Sequence, residues 1–134
     1  MAEPSRCVLD TSVFIASETG RPLDTERIPD ETAISAVTIA ELHVGVLAAK
    51  DLETRARRLA TLEAVSDIEL LPVDADVAAS WALLRLHLAD TGRRLNVNDL
   101  WIAATALAHQ VPVVTQDEDF EPIDGVGGLS VIQV

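Results

Sequence analysis

Apolar residues recur along this 134-residue chain in two alternating rhythms, short runs and helical stripes. Cys7-Val8-Leu9 is an apolar run that ends at Asp10-Thr11-Ser12, a set of helix N-cap residue types, and Val13-Phe14-Ile15-Ala16 begins a helix behind it. Gly20, Pro22 and Pro29 mark a loop. Thr32 to Val37 predicts a second strand and Thr38 to Lys50 a helix with Ile39, Leu42, Val46 and Leu47 on one side. A further helix follows at once, its stripe formed by Leu52, Ala56, Leu59, Leu62 and Val65, with Arg55, Arg57 and Arg58 largely outside it. Ile68 to Leu71 reads as a third strand closed by Pro72. Val77, Trp81, Leu84 and Leu88 then give helical spacing from Asp74 to Asp90, stopped by Thr91-Gly92. Asn96 caps a helix running to about Gln110 through Leu100, Ala103, Ala104 and Leu107. Val113 to Thr115 is the fourth strand, and Leu129 to Val134, after the Gly125-Val126-Gly127-Gly128 turn, an edge strand. Strands alternating with helices predict an α/β fold with a mainly parallel sheet. No repeat or linker interrupts the pattern, so residues 1–134 are expected to form a single domain.

Composition narrows the class. With 49% hydrophobic residues the chain can bury a core, and Cys7 has no second cysteine to bridge to. Met1-Ala2-Glu3-Pro4-Ser5-Arg6 lacks the basic and apolar regions of a signal peptide. The uncharged stretch from Leu100 to Gln116 is shorter than the roughly 20 residues of a membrane span. The expectation is a soluble, cytoplasmic protein without a membrane partner.

Charge complicates this picture, because a net charge of -12 should repel nucleic acid unless something local reverses it. Residues 1–49 carry eight acids and three bases, residues 50–94 eight and seven, and residues 95–134 six acids and no base. Four of these acids occupy comparable places. Asp10 follows the first strand, Glu41 lies in the first turn of the helix after the second, Asp99 opens the helix before the fourth, and Asp117 follows the fourth. In an open parallel sheet, ligands bind beyond the carboxyl ends of the strands where strand order reverses. Carboxylates gathered there repel one another and call for a cation. Oxygen ligands with no Lys, Cys or His among them suit Mg2+ or Mn2+, and such a site suits metal-assisted hydrolysis of a phosphate ester. Singly, each acid also reads as a cap or turn former: Asp10 as an N-cap, Thr38-x-x-Glu41 as a capping box, Asp99 at a helix start, Asp117 in an Asx-type turn. Capping does not require all four to face one end of the sheet.

Of the acidic run Asp117, Glu118, Asp119, Glu121 and Asp124, only Asp117 and Asp119 are close enough to Thr115 to point inward. Arg93 and Arg94 precede Asp99 by six and five residues and are candidates for phosphate contacts at the edge of the same cleft. His43, His87 and His109 lack metal-ligand spacing, Trp81 and Trp101 are spaced as core residues, and Cys7 reads as a buried thiol.

Asp10-Thr11-Ser12, Glu41, Asn98-Asp99-Leu100-Trp101-Ile102-Ala103-Ala104 and Thr115-Gln116-Asp117-Glu118-Asp119-Phe120 together resemble the four motifs of PIN-domain ribonucleases. Their order, spacing and total length are similar to those of the VapC toxins of bacterial type II toxin-antitoxin systems, over essentially the whole chain. The resemblance implies a three-layer α/β/α sandwich with four to five strands. It also implies an Mg2+- or Mn2+-dependent endoribonuclease with Asp10, Glu41, Asp99 and Asp117 as acidic metal site. Asp119 would be an auxiliary acid, and Thr11 or Ser12 with Thr115 would hold the carboxylates or a water. With RNA as the substrate, the phosphates that Arg93 and Arg94 are placed to meet by their position before Asp99 would be those of the RNA. Partners implied are an RNA substrate, a VapB-like antitoxin wrapping the helical region after the second strand, and a second copy in a homodimer or hetero-oligomer.

Three alternatives stay open on the residues alone. A haloacid-dehalogenase-type phosphatase wants an Asp where Ser12 stands, and a phosphorylatable receiver domain wants a late Lys where the chain has only Lys50. An inactive PIN-like interaction module is the third.

Overall fold

The structure is a computed structural model that describes residues 3–134; Met1 and Ala2, which open the stretch read as lacking a signal peptide, lie outside them. The elements run β1 (Arg6–Leu9), α1 (Thr11–Thr19), β2 (Glu31–Ser35), α2 (Ala36–Ala48), α3 (Leu52–Ala64), β3 (Glu69–Leu71), α4 (Ala75–Thr91), α5 (Val97–Ala108), β4 (Val113–Thr115) and β5 (Val131–Gln133). The five strands form one sheet in the order β3-β2-β1-β4-β5, and every neighbouring pair is parallel. The sequence pattern predicts the α/β fold with its parallel sheet; the central strands β1 and β4 are almost wholly buried, whereas the edge strands β3 and β5 are largely accessible.

Alternation along the strands builds two cores. Val8, Ala33, Leu71 and Val113 pack with Val77, Leu84 and Leu88 of α4 and with Ile102, Ala103 and Ala106 of α5. Cys7, Leu9, Ile34 and Val114 face the other way, onto Val13 of α1 and Leu42 of α2. Each such side chain contributes roughly 1.5–3 kcal/mol by leaving water. Burial also pushes the Cys7 thiol up to about 11, which keeps it protonated. Trp81 and Trp101 stack on each other, ring centroids 5.0 Å apart, which ties α4 to α5. Among the described residues no helix is long and apolar enough to cross a membrane.

The structure corrects several boundaries. The second strand ends at Ser35, whose hydroxyl accepts the Val37 N–H and so caps α2 three residues earlier than expected. Glu41 therefore sits in the second turn of α2, and the Thr38 capping box does not form. The third strand starts at Glu69 because Ile68 still closes a short 3-10 turn. The fifth helix stops at Ala108, where Gln110 takes a positive φ of 55°. The edge strand spans only Val131–Gln133. On the helices, Leu47, Leu52 and Leu59 do not join the core; they are 72%, 86% and 42% exposed.

Candidate active site

β1 and β4 are adjacent, yet the chain leaves β1 toward β2 on one side and enters β5 from β4 on the other. The strand order thus reverses between them, and the crevice opens at their carboxyl ends. Asp10 is the first residue past β1, fixed there by its N–H donating to the Val114 carbonyl (2.8 Å). It also caps α1, its Oδ2 accepting the Ser12 N–H at 3.3 Å.

A chain of hydroxyls serves that same oxygen. Thr115 Oγ1 donates to Asp10 Oδ2 at 3.0 Å and accepts the Asp117 N–H at 3.0 Å. With its one proton committed to the carboxylate, Thr115 accepts from Ser12 Oγ, 3.2 Å away, and Ser12 in turn accepts the Gln116 N–H at 3.0 Å. Asp10 Oδ1 is left buried with no hydrogen-bond partner, in a residue 1% exposed. A buried, orphaned carboxylate oxygen is costly, and a cation is one ligand that satisfies it. On the opposite flank the Thr11 hydroxyl donates its one proton to Glu41 Oε1 at 2.7 Å, and Thr38 Oγ1 lies 3.0 Å from the same hydroxyl oxygen. Thr11 and Thr38 are both buried.

Electrostatics maps the remaining members. Asp99, in the first turn of α5, is pushed up to about 7, by burial first and then by the charges of Asp10, Glu41, Asp117 and Asp119. Asp117 is raised by burial and then by Asp10 and Asp119, with Arg21 opposing. Asp10 is raised by burial and more weakly by Glu41, against the hydrogen bonds from Ser12 and Thr115. The structure therefore brings Asp10, Glu41, Asp117 and Asp119 within electrostatic reach of Asp99. Among the described residues no three His, Cys, Asp or Glu side chains are set to grip one ion directly. An ion that takes one or two carboxylates and keeps its waters fits such an oxygen-only set.

The two arginines separate. Arg93 is paired with Glu121, whereas Arg94 has no ion pair among the described residues and lines an open cleft beside Asp119. Two participants escaped the sequence reading. Thr38 was legible only as a cap, and Arg21, beside Asp117, follows α1 in a loop with no motif to mark it. Lys50 lies exposed between α2 and α3, away from the crevice, which removes the support a receiver-domain reading would need.

The Asp99 carboxyl titrates at 3.8 when unperturbed and at about 7 in the fold. Over that interval the folded state keeps a proton that the unfolded state has lost. Its contribution to stability is full below the unfolded value and disappears as pH rises through 7. In chelator, thermal melts of the wild type should lose stability relative to Asp99→Asn between about pH 4 and pH 7. Parallel pH profiles for the two proteins would remove Asp99 as the source.

A family model described as PIN domain matches residues 7–126. Ribonuclease VapC5 of Mycobacterium tuberculosis is 58% identical over 131 residues, spanning 98% of this chain and 97% of the relative. Ribonuclease VapC4 of the same species is 41% identical over 127 residues, spanning 94% and 97%. A chain in the crystal structure of VapBC-5, from the VapBC family of toxin-antitoxin systems of M. tuberculosis, superposes with a TM-score of 0.92 at 56% identity. That match covers 98% of this chain and 100% of the other.

Proposed function

The chain belongs to the PIN-domain family, and from that premise we propose that it is an Mg2+- or Mn2+-dependent endoribonuclease toxin, held inactive by a cognate VapB-like antitoxin in the cytoplasm. The observation that carries the reading is the orphaned Oδ1 of Asp10, a residue whose charge acts on the carboxyls of Asp99 and Asp117 at the point where strand order reverses. Asp10, Glu41, Asp99 and Asp117 would hold the metal, directly or through water, with Asp119 at the rim. When bound, the ion supplies a Lewis acid for the phosphoryl oxygens and lowers the pKa of a water. The protein's own part is positional. Ser12 and Thr115 fix Asp10 Oδ2 and leave Oδ1 uncommitted, and Thr11 holds the Glu41 carboxylate from the other flank. Burial and then mutual repulsion lift Asp99 and Asp117, and a divalent cation would relieve both.

The VapBC-5 likeness supports an antitoxin partner, and residues 1–134 acting as one domain, alone or as a dimer, with an RNA substrate. Exposed Val44, Leu47, Leu52 and Leu59 on the α2–α3 hairpin offer an apolar surface that such a partner would cover. Incubated with total RNA, the purified chain should release discrete fragments in Mg2+ or Mn2+ and none in chelator, and added antitoxin should stop the reaction. Cleavage that persists in chelator would overturn the metal-dependent reading.

A further inference from the structure

Beside the carboxylates lies an open cleft of about 530 Å3 lined by Arg94, Leu95, Asn96, Glu118, Asp119 and Pro122. It joins the crevice directly, because Asn96 caps the helix whose first turn carries Asp99, and Asp119 stands two residues beyond Asp117. Its two walls are held in place. Leu95 packs on the main core, and Pro122 lies between Phe120 and Ile123, both fully buried. Arg93 on one wall is ion-paired with Glu121 on the other, so the arginine pair divides its work, one joining the walls and one left facing the opening.

We propose that this cleft is a subsite for one unpaired guanine nucleotide next to the scissile phosphate of the RNA, a step that rests on the endoribonuclease reading. The lining has the three parts such a ligand needs. Leu95 and Pro122 offer apolar surface to the faces of the base. Asn96 Oδ1 is occupied by the Asn98 N–H at 2.9 Å, which leaves its amide NH2 as a donor. Glu118, on the same lining, carries a carboxylate able to accept two parallel hydrogen bonds. A donor next to a bidentate acceptor complements the guanine edge, where O6 accepts and N1–H and N2–H2 donate. Adenine and cytosine offer the carboxylate only one donor group on that edge, and uracil a single N–H. Arg94, on the same lining and without an ion pair among the described residues, supplies a positive charge for a backbone phosphate of the same nucleotide. RNA loops are read in this way, by stacking splayed bases and bonding their edges.

Binding separates this subsite from the reaction. The Asp10→Asn chain in Mg2+ would be titrated by fluorescence anisotropy with a labelled uridine hexamer carrying one central guanosine, inosine, adenosine or uridine. Guanosine should bind roughly tenfold tighter than uridine, the discrimination of one bidentate base contact, with inosine between them because it lacks N2. Glu118→Gln should erase the difference, so that guanosine and uridine oligomers bind the variant alike, whatever the change in overall affinity from losing one negative charge. Arg94→Gln should weaken all four alike and lower the salt slope by roughly 0.7. Equal binding of guanosine and uridine, or a preference that survives Glu118→Gln, overturns the subsite. Metal-dependent cutting by the wild type without that preference strikes the subsite alone. The preference in a chain that never cuts RNA strikes the nuclease reading and leaves the subsite standing.

Discussion

Asp10→Asn should lower RNA cleavage about a thousandfold, the several kcal/mol that metal-ion catalysis supplies, while raising the melting temperature in chelator. The two effects have opposite signs because Asp10 has two roles. As a cap, its Oδ2 accepts the Ser12 N–H, and asparagine caps helices about as well as aspartate. As a charge, it raises Asp99 and Asp117 and bears its own desolvation at 1% exposure. Asparagine keeps the first role and deletes the second. The new amide NH2 falls where Oδ1 was orphaned, so the exchange breaks no hydrogen bond that Asp10 makes through Oδ1. Asp10→Ala removes both roles, so it should be equally inactive yet less stable than Asp10→Asn by about 1 kcal/mol. Mg2+ should raise the melting temperature of the wild type and leave that of Asp10→Asn nearly unmoved. A variant that still cuts RNA, or melts below the wild type in chelator, would refute the charge-cluster account.

How much of this was legible in the chain depends on which interactions were local. Asp10 and Asp117 stand directly after apolar runs, so their position at strand ends followed from the pattern. Their neighbourhood required strand order, which periodicity does not encode and the motif resemblance supplied. Glu41 was found but misplaced by a turn, because Val37 extends a β-branched run that reads as strand while the Ser35 hydroxyl has already opened the helix. Leu47, Leu52 and Leu59 share stripes with true core residues; spacing says which residues lie on one face, and not whether this chain covers that face. Arg93 and Arg94 are neighbours in sequence and differ only through Glu121, 28 residues from Arg93. The Thr11–Thr38 contact, 27 residues apart, was invisible for the same reason.

Thr115→Val should cost about 3 kcal/mol in urea unfolding and abolish cleavage, whereas Thr115→Ser should stay within roughly 1 kcal/mol of the wild type. Valine matches threonine in shape and suits a strand, so packing in β4 is preserved and only the hydroxyl is lost. That hydroxyl is fully buried and meets three partners: Asp10 Oδ2, the Asp117 N–H and Ser12 Oγ. Removing it strands a buried acceptor and leaves two donors to find new acceptors, at about 1–3 kcal/mol for each group left unpaired. The loss should depend on pH in a direction that identifies its source. A hydrogen bond that favours the ionised form of Asp10 disappears, so burial raises that carboxyl further in the variant. At acidic pH the group is neutral in both proteins and the penalty shrinks; toward pH 7 the variant must either ionise an under-bonded carboxylate or retain a proton, and the gap widens. A destabilisation that is constant with pH would assign the cost to packing and to the Asp117 N–H. It would also detach Thr115 from the task of holding the ionised Asp10 carboxylate.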